Sequence, residues 1–143
     1  MKRTFFSLAL LLAVATLTAQ TKMTAREAAV KIADRILAST TYEFKNTKTG
    51  EIYKSVKKLP LDMDVKVACK YNNWHYTNGV TNMALMELGD KLGDKKYEKY
   101  VLKNMNFVFN EGNLDFFRKQ YDEAFKRDGW NAVRKLSWHM IFR

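Results

Sequence analysis

The chain is poor in the residues on which disulfide, nucleophile and metal chemistry depend. Its 143 residues include one cysteine, Cys69, and two histidines, His75 and His139. One thiol forms no internal disulfide, so a small module held together by cystines is excluded. No cysteine or acidic residue stands beside either histidine at metal-ligand spacing. The sequence therefore gives poor support for a metal site or a histidine-activated nucleophile.

The N-terminus follows the order of a secretory signal peptide. Lys2 and Arg3 precede an apolar run from Phe5 to Val14, and small and polar residues follow up to Ala19. Cleavage is predicted after Ala19, which makes 1–19 the leader. The alternative is a membrane anchor, but the run is too short to span a bilayer comfortably. No cysteine stands at the cleavage point, so we expect a secreted or periplasmic bacterial protein without a lipid anchor.

Positive charge is abundant but dispersed. Removing Lys2 and Arg3 lowers the formal net charge by two, from +10 to +8. The remaining lysines are scattered among Asp and Glu without forming a dense basic stripe. Such a surface either attracts acidic polysaccharides or is an ordinary solvated surface, and we favour the second because charge alone carries no specificity. Nucleic acid is not expected as the partner of an exported protein.

Helical patterns predict an all-α fold. The capping box Thr24-Ala25-Arg26-Glu27 predicts a helix ending near Ser39. Three more helices are predicted: one from Gly79 until Gly89-Asp90 and Gly93-Asp94 interrupt it, one capped by Asp94 and ending near Asn110, and one capped by Asn113 and closed by Gly129. Their short connections favour antiparallel hairpins. The expected core positions are Ala25, Ala28, Ala29, Ile32, Ala33, Ile36 and Leu37; Val80, Met83, Ala84 and Leu88; Tyr97, Tyr100, Val101, Met105, Phe107 and Val108; and Phe116, Phe117, Tyr121, Ala124 and Phe125.

The middle and the end of the chain break this pattern. Residues 40–73 show no sustained helical period and are expected to form a long connection, with a strand pair at 51–53 and 65–67 as the alternative. The apolar run from Val133 to Phe142 continues almost to Arg143. Because such a surface needs a partner, we interpret the chain as a fragment, with a packed terminal helix as the alternative.

The segment Tyr71-Asn72-Asn73-Trp74-His75-Tyr76-Thr77-Asn78-Gly79 is the strongest candidate binding site. Flat rings with polar tips beside amides suit the stacking and hydrogen bonding of a sugar. The competing interpretation is that Trp74 and Tyr76 pack a helix start into the core. The acids available for glycoside chemistry are Glu87, Asp90, Asp94, Asp115, Asp122 and Glu123, and each has an ordinary role as a turn, cap or surface residue.

These motifs resemble the start of a known enzyme family. From about residue 24 onward, the Trp74-His75-Tyr76-Thr77-Asn78-Gly79 segment, the Gly93-Asp94-Lys95-Lys96-Tyr97 turn and Asn110-Glu111-Gly112 are similar to the unsaturated glycuronyl and rhamnogalacturonyl hydrolases of glycoside hydrolase families 88 and 105. The Gly-Asp-x-x-Tyr turn alone is weak, since tetratricopeptide-like arrays also use it.

The resemblance implies an (α/α)6 barrel of helical hairpins, of which residues 24–143 would form the first part. It also implies an acidic oligosaccharide substrate whose terminal uronyl 4,5 double bond is hydrated with the help of an Asp, without metal or organic cofactor. Tyr76, with Trp74 and His75, matches the family's early aromatic segment and is the expected substrate contact. The family's catalytic Asp residues lie in later helices, so none is assigned here and the chain alone is expected to be inactive.

A second hypothesis belongs to another class. A secreted helical-repeat module would bind a partner through its concave face and have no enzymatic activity. The sequence does not indicate the oligomeric state or the preferred sugar.

Overall fold

The computed structural model describes residues 23–136, so the predicted leader at 1–19 and the end of the apolar run beyond Leu136 lie outside the described residues. The chain divides into two compact units, 1–31 and 32–143. Of the first unit, the structure describes the start of a helix. There the Thr24 backbone N–H donates to Glu27 Oε2 at 2.8 Å, and the Glu27 N–H donates to Thr24 Oγ1 at 3.2 Å. The predicted capping box is therefore confirmed.

Helices account for most of the described chain, as predicted, and a small sheet accompanies them. The elements are α1 Ala25–Ser39, β1 Phe44–Asn46, β2 Ile52–Tyr53, a 3₁₀ turn Val56–Lys58, β3 Val65–Val67, α2 Tyr76–Leu92, α3 Lys96–Val108 and α4 Glu111–Val133. The end of α1 at Ser39 agrees with the sequence.

The middle of the chain forms a three-stranded antiparallel sheet in the order β2-β1-β3. The alternative of a strand pair at 51–53 and 65–67 is correct about two strands and wrong about their pairing, because they do not pair with each other. Both pair with β1, which the sequence did not indicate: Phe44 lies opposite Tyr53 on one side and Val67 on the other. Phe44 and Val65 are fully buried in a cluster with Val108, Phe116 and Phe117. The expected long connection therefore contributes side chains to the core.

Helix α2 differs most from the prediction. It begins at Tyr76 rather than Gly79, and it continues through Gly89 to Leu92, where Gly93 in the left-handed conformation ends it. Its buried residues are Asn82, Leu85 and Gly89. Three positions expected in the core, Val80, Met83 and Ala84, are exposed. Gly89 lies inside the helix and packs closely against α3, since an added Cβ would lie 3.3 Å from the Tyr97 Cβ.

Helix α3 matches its predicted face, while its cap and that of α4 differ from the prediction. Tyr97, Tyr100, Val101 and Val108 are buried as expected. The cap position is Lys95, although Asp94 Oδ1 does accept a hydrogen bond from the Lys96 N–H at 3.0 Å. Helix α4 is capped by Asn110 and not by Asn113, because Asn110 Oδ1 accepts from the Asn113 N–H.

Departures from the predicted core positions also occur in α1 and α4. In α1, Ala33 is buried, but Ala25, Ala29 and Ile32 are exposed. In α4, Phe116, Phe117 and Ala124 are buried while Phe125 is exposed. The predicted end of α4 at Gly129 appears as a break in helical geometry at Asp128 and Gly129, after which the helix resumes to Val133. Hairpin-like packing of α2 on α3 occurs around a second cluster, in which Leu85, Tyr97, Tyr100 and Val101 are buried with Ala33.

Candidate functional site

A cavity of about 540 Å³ lies where the segment before α2 meets α2 and the C-terminal half of α3. Trp74, Tyr76 and Phe109 contribute aromatic rings, and Met105 and Val108 contribute apolar surface. Within residues 23–136, the polar lining comes from asparagine side chains and His75, and no Lys, Arg, Asp or Glu belongs to it. The cavity is therefore aromatic and amide-lined, without a formal charge from those four residue types.

His75 positions the start of α2 at the mouth of the cavity. The backbone at His75 is extended, and its Nδ1 accepts a hydrogen bond from the Thr77 N–H at 3.4 Å while lying 2.8 Å from Thr77 Oγ1. A side-chain acceptor at this position satisfies one of the free N–H groups of the first helical turn. Because Nδ1 is used in this way, Nε2 is the ring nitrogen that remains for a ligand.

Two predicted contact residues differ in burial. The Trp74 ring is half-buried and meets Phe109 edge to face, with ring centroids 5.0 Å apart. It also packs on the cluster around Phe44, which fits the core-packing interpretation in part. Tyr76 is 78 % exposed and tilts against the His75 ring at 5.0 Å, so core packing does not account for it. The structure thus brings Trp74, His75 and Tyr76 together on one cavity.

Asparagine amides hold the irregular backbone that forms one side of the cavity. Asn78 Nδ2 donates to the Lys70 carbonyl at 2.8 Å and to the Asn73 carbonyl at 3.0 Å. Asn72 Nδ2 donates to the Thr41 carbonyl at 2.6 Å. A segment without regular secondary structure needs such side-chain donors, because its carbonyls have no ladder partner.

Asn104 on α3 is a buried polar residue of the cavity lining. Its Nδ2 donates to the Tyr71 carbonyl at 3.0 Å and to Asn82 Oδ1 at 3.2 Å. Its amide oxygen, and that of Asn72, are buried and have no hydrogen-bond partner among the described residues, and each side chain is 1 % exposed. An unpaired buried acceptor costs roughly 1–3 kcal/mol, so these two amide oxygens lower the stability of the folded chain.

Sequence reasoning missed Asn82, Asn104 and Phe109 as parts of the site. Asn104 lies four residues after Tyr100 and three after Val101, which is the buried face of α3. A polar residue at such a position is the signal that could have revealed it, since buried amides normally serve a network or a ligand. Asn82 occupies the corresponding buried face of α2.

The candidate acids lie elsewhere. Four of them form ion pairs at the surface: Glu87 with Lys91 at 2.7 Å, Asp94 with Lys96 at 3.3 Å, Asp115 with Lys119 at 2.7 Å, and Glu123 with Lys126 at 2.9 Å. The hydrogen bond from Lys91 lowers the pKa of Glu87, which favours its ionised form. None of the six acids lines the cavity. The described chain therefore contributes a cavity wall and no carboxyl group to it.

Metal-binding clusters and membrane-spanning helices are both absent from residues 23–136. No group of three or more His, Cys, Asp or Glu residues is arranged there to hold a metal ion. None of the helices in that range has the length and apolar character needed to cross a membrane.

Comparison with known proteins gives no identification. The chain matches no protein-family model, no curated protein and no solved structure.

Proposed function

We propose that this chain forms the sugar-binding wall of a secreted glycoside hydrolase that acts on oligosaccharides ending in an unsaturated uronyl residue. The observation that carries the proposal is the shared cavity of Trp74, His75 and Tyr76 with a set of asparagine amides. Aromatic faces stack on the apolar faces of pyranose rings, and amides pair with the hydroxyl groups at the ring edge. The helical hairpin of α2 and α3 is compatible with the first part of an (α/α)6 barrel.

The proposed reaction needs an acid that this cavity does not contain. An Asp would protonate the vinyl-ether double bond and guide water to the adjacent carbon, and the resulting hemiketal would open to release the next sugar. Since no carboxylate of the described residues lines the cavity, the proposal takes that Asp from a part of the enzyme other than residues 23–136. The chain alone would then bind the sugar without turning it over.

Sugar binding is tested on the 143-residue chain with unsaturated disaccharides made by a pectic lyase. Tyr76→Ala removes a ring that is 78 % exposed, so folding should be nearly unaffected while affinity falls about tenfold or more. The matched control is Met83→Ala on the same helix, which is 73 % exposed and outside the cavity lining. Isothermal titration measures the dissociation constants.

Loss of the ultraviolet absorbance of the conjugated double bond reports hydrolysis. We expect no loss with this chain and a loss with a longer product of the same reading frame that carries the Asp. Binding with no turnover by any longer product would favour the helical-repeat binding module. Absence of binding to the wild-type chain, or equal affinities for the Tyr76→Ala and Met83→Ala variants, would contradict the proposed site.

A further inference from the structure

A backbone carbonyl fixes the orientation of the Asn104 side-chain amide. Asn104 Nδ2 donates to the Tyr71 carbonyl at 3.0 Å, and a carbonyl oxygen can only accept. The same Nδ2 donates to Asn82 Oδ1 at 3.2 Å. If the Asn104 amide were rotated by half a turn, its oxygen would face the Tyr71 carbonyl oxygen and the two acceptors would repel each other. The Tyr71 carbonyl therefore determines that Asn104 presents its nitrogen to Asn82.

Asn82 is oriented in turn by Asn104. Because Asn82 Oδ1 accepts from Asn104, Nδ2 is the end of the Asn82 amide that remains for another partner. Asn82 is 5 % exposed and lines the cavity, and its Nδ2 donates to no group of the described residues. The asparagine atoms that are unpaired and wholly enclosed are the oxygens of Asn72 and Asn104, and the Asn82 nitrogen is not among them. A buried donor in this position is satisfied by an acceptor that enters the cavity.

Two further side chains of the cavity present donors for the same kind of reason. Asn78 Nδ2 donates to Asn73 Oδ1 at 2.7 Å, which leaves Asn73 Nδ2 for a ligand. Asn78 is itself oriented by the carbonyls of Lys70 and Asn73, to which it also donates. His75 Nδ1 accepts from the Thr77 N–H, so the neutral ring carries its hydrogen on Nε2. The available groups of Asn73, His75 and Asn82 are therefore donors.

We infer that Asn82 is a specificity-determining residue of the proposed sugar site, and that its Nδ2 donates a hydrogen bond to an oxygen of the bound ring. The inference rests on the proposed sugar-binding function and deepens it. Carboxylate, ester carbonyl and hydroxyl oxygens all accept such a bond, whereas a protonated amine offers donors alone. The ligand class is a sugar ring that directs an oxygen acceptor at Asn82.

The test replaces the donor by an acceptor of nearly the same shape. Asn82→Asp keeps an oxygen for the Asn104 amide and loses the free N–H. The matched control is Asn106→Asp, which makes the same change at an exposed position of α3 outside the cavity lining. The ligands are the unsaturated disaccharides made by a pectic lyase, in their ionised form and as their fully methyl-esterified, neutral form. Isothermal titration measures the dissociation constants.

We expect Asn82→Asp to weaken the binding of both ligand forms at least about tenfold, and Asn106→Asp to stay within about twofold of the wild type. The new carboxylate repels the ionised ligand through its charge, so the neutral ester isolates the loss of the donor. Equal affinities of the two variants, or a loss confined to the ionised ligand, overturn the inference and leave the sugar-binding function standing.

A measurement on the unaltered chain decides the question even if Asn82→Asp fails to fold. In the isotopically labelled 143-residue chain, the side-chain amide protons of Asn82 should shift downfield as the ester saturates the site, while those of Asn106 should not move. Unchanged Asn82 signals at saturation overturn the inference. Failure of both ligand forms to bind the wild-type chain overturns the proposed function and the inference with it.

Discussion

Two buried tyrosine hydroxyl groups differ in whether they have a hydrogen-bond partner among the described residues. The ring of Tyr97 is fully buried, and its hydroxyl donates to Asp34 Oδ1 at 2.9 Å. The hydroxyl of Tyr42 is also buried but has no hydrogen-bond partner among the described residues. Burial raises the pKa of Tyr42 to about 12, because the phenolate would lose its hydration.

This difference predicts opposite results for the same substitution. Tyr97→Phe removes a hydrogen bond to a carboxylate and should lower the free energy of unfolding by roughly 1–2 kcal/mol. Tyr42→Phe removes an unsatisfied group and keeps the ring, which packs edge to face on Phe107. It should leave the free energy unchanged within about 0.5 kcal/mol or raise it. Urea unfolding of the three proteins measures both values, and an equal loss in the two variants would contradict this account.

At the residue scale, the sequence identified the cap at Thr24 and the aromatic segment but not the buried amides. Capping boxes are local, since donor and acceptor are three residues apart, and they can be read directly. Asn104 and Asn82 meet only because α2 and α3 pack together, 22 positions apart in sequence. No pattern within a single helix specifies such a pairing.

Helix α2 shows why a correct helix can be given the wrong buried face. Apolar residues occur on more than one of its sides, so several stripes satisfy the helical period. The structure buries the side with Leu85 and Gly89, because Gly89 allows close approach of Tyr97. The side with Val80 and Met83 remains exposed. Periodicity alone cannot choose between two apolar faces, since both have the spacing of a buried stripe.

The two glycines of α2 give a matched test of this packing. An added Cβ at Gly79 meets no atom of the described residues within 4 Å, whereas at Gly89 it would lie 3.2 Å from the Asp94 carbonyl oxygen and 3.3 Å from the Tyr97 Cβ. Gly79→Ala should raise the free energy of unfolding by about 0.5–1 kcal/mol through helix propensity. Gly89→Ala should lower it by roughly 1–3 kcal/mol, because a backbone carbonyl cannot easily move away.

Thermal and urea unfolding of the two variants measure this contrast. The substitutions are chemically identical and lie in the same helix, so intrinsic propensity largely cancels in the comparison. A stabilisation of similar size in both variants would show that the contact between Gly89 and Tyr97 is looser than described.

At the scale of the whole molecule, hydrogen bonds and an ion pair connect elements that are far apart in the sequence. Gln120 on α4 is fully buried, and its Nε2 donates to the carbonyls of Asp62, which precedes β3, and of Val65, which begins it. Asp34, in the part of α1 that follows Lys31, pairs with Lys96 Nζ at 2.9 Å and accepts from the Tyr97 hydroxyl. Hydrogen bonds from Lys96 and then from Tyr97 lower the pKa of the Asp34 carboxyl.

This lowered pKa predicts a pH dependence of stability. The Asp34 carboxyl has an unfolded pKa of about 3.9, and its folded pKa is lower. Its contribution is therefore fully present above the unfolded pKa and is lost as the pH falls through the folded one. The Asp34→Asn variant should show a shallower loss of stability than the wild type as the pH is lowered below about 5. Urea unfolding at a series of pH values measures the slope.

Lys96→Gln provides the reciprocal variant, because it removes the first donor to Asp34. It should partly reduce the loss of stability on acidification. Adding Lys96→Gln to Asp34→Asn should change the slope of stability against pH little further. If the wild type and Asp34→Asn lost stability equally as the pH fell, the ion pair of Asp34 and Lys96 would not be the source of the pH dependence.

The sequence by itself determined the predominance of helix, the start and end of α1, the core face of α3 and the aromatic segment before α2. These features depend on contacts between residues a few positions apart. The tertiary structure decided the sheet around β1, the buried face of α2 and the asparagine lining of the cavity. Strands of two or three residues are too short to show alternation, and their partners are selected by packing. Buried amides are likewise defined by the element that covers them, which only the folded chain specifies.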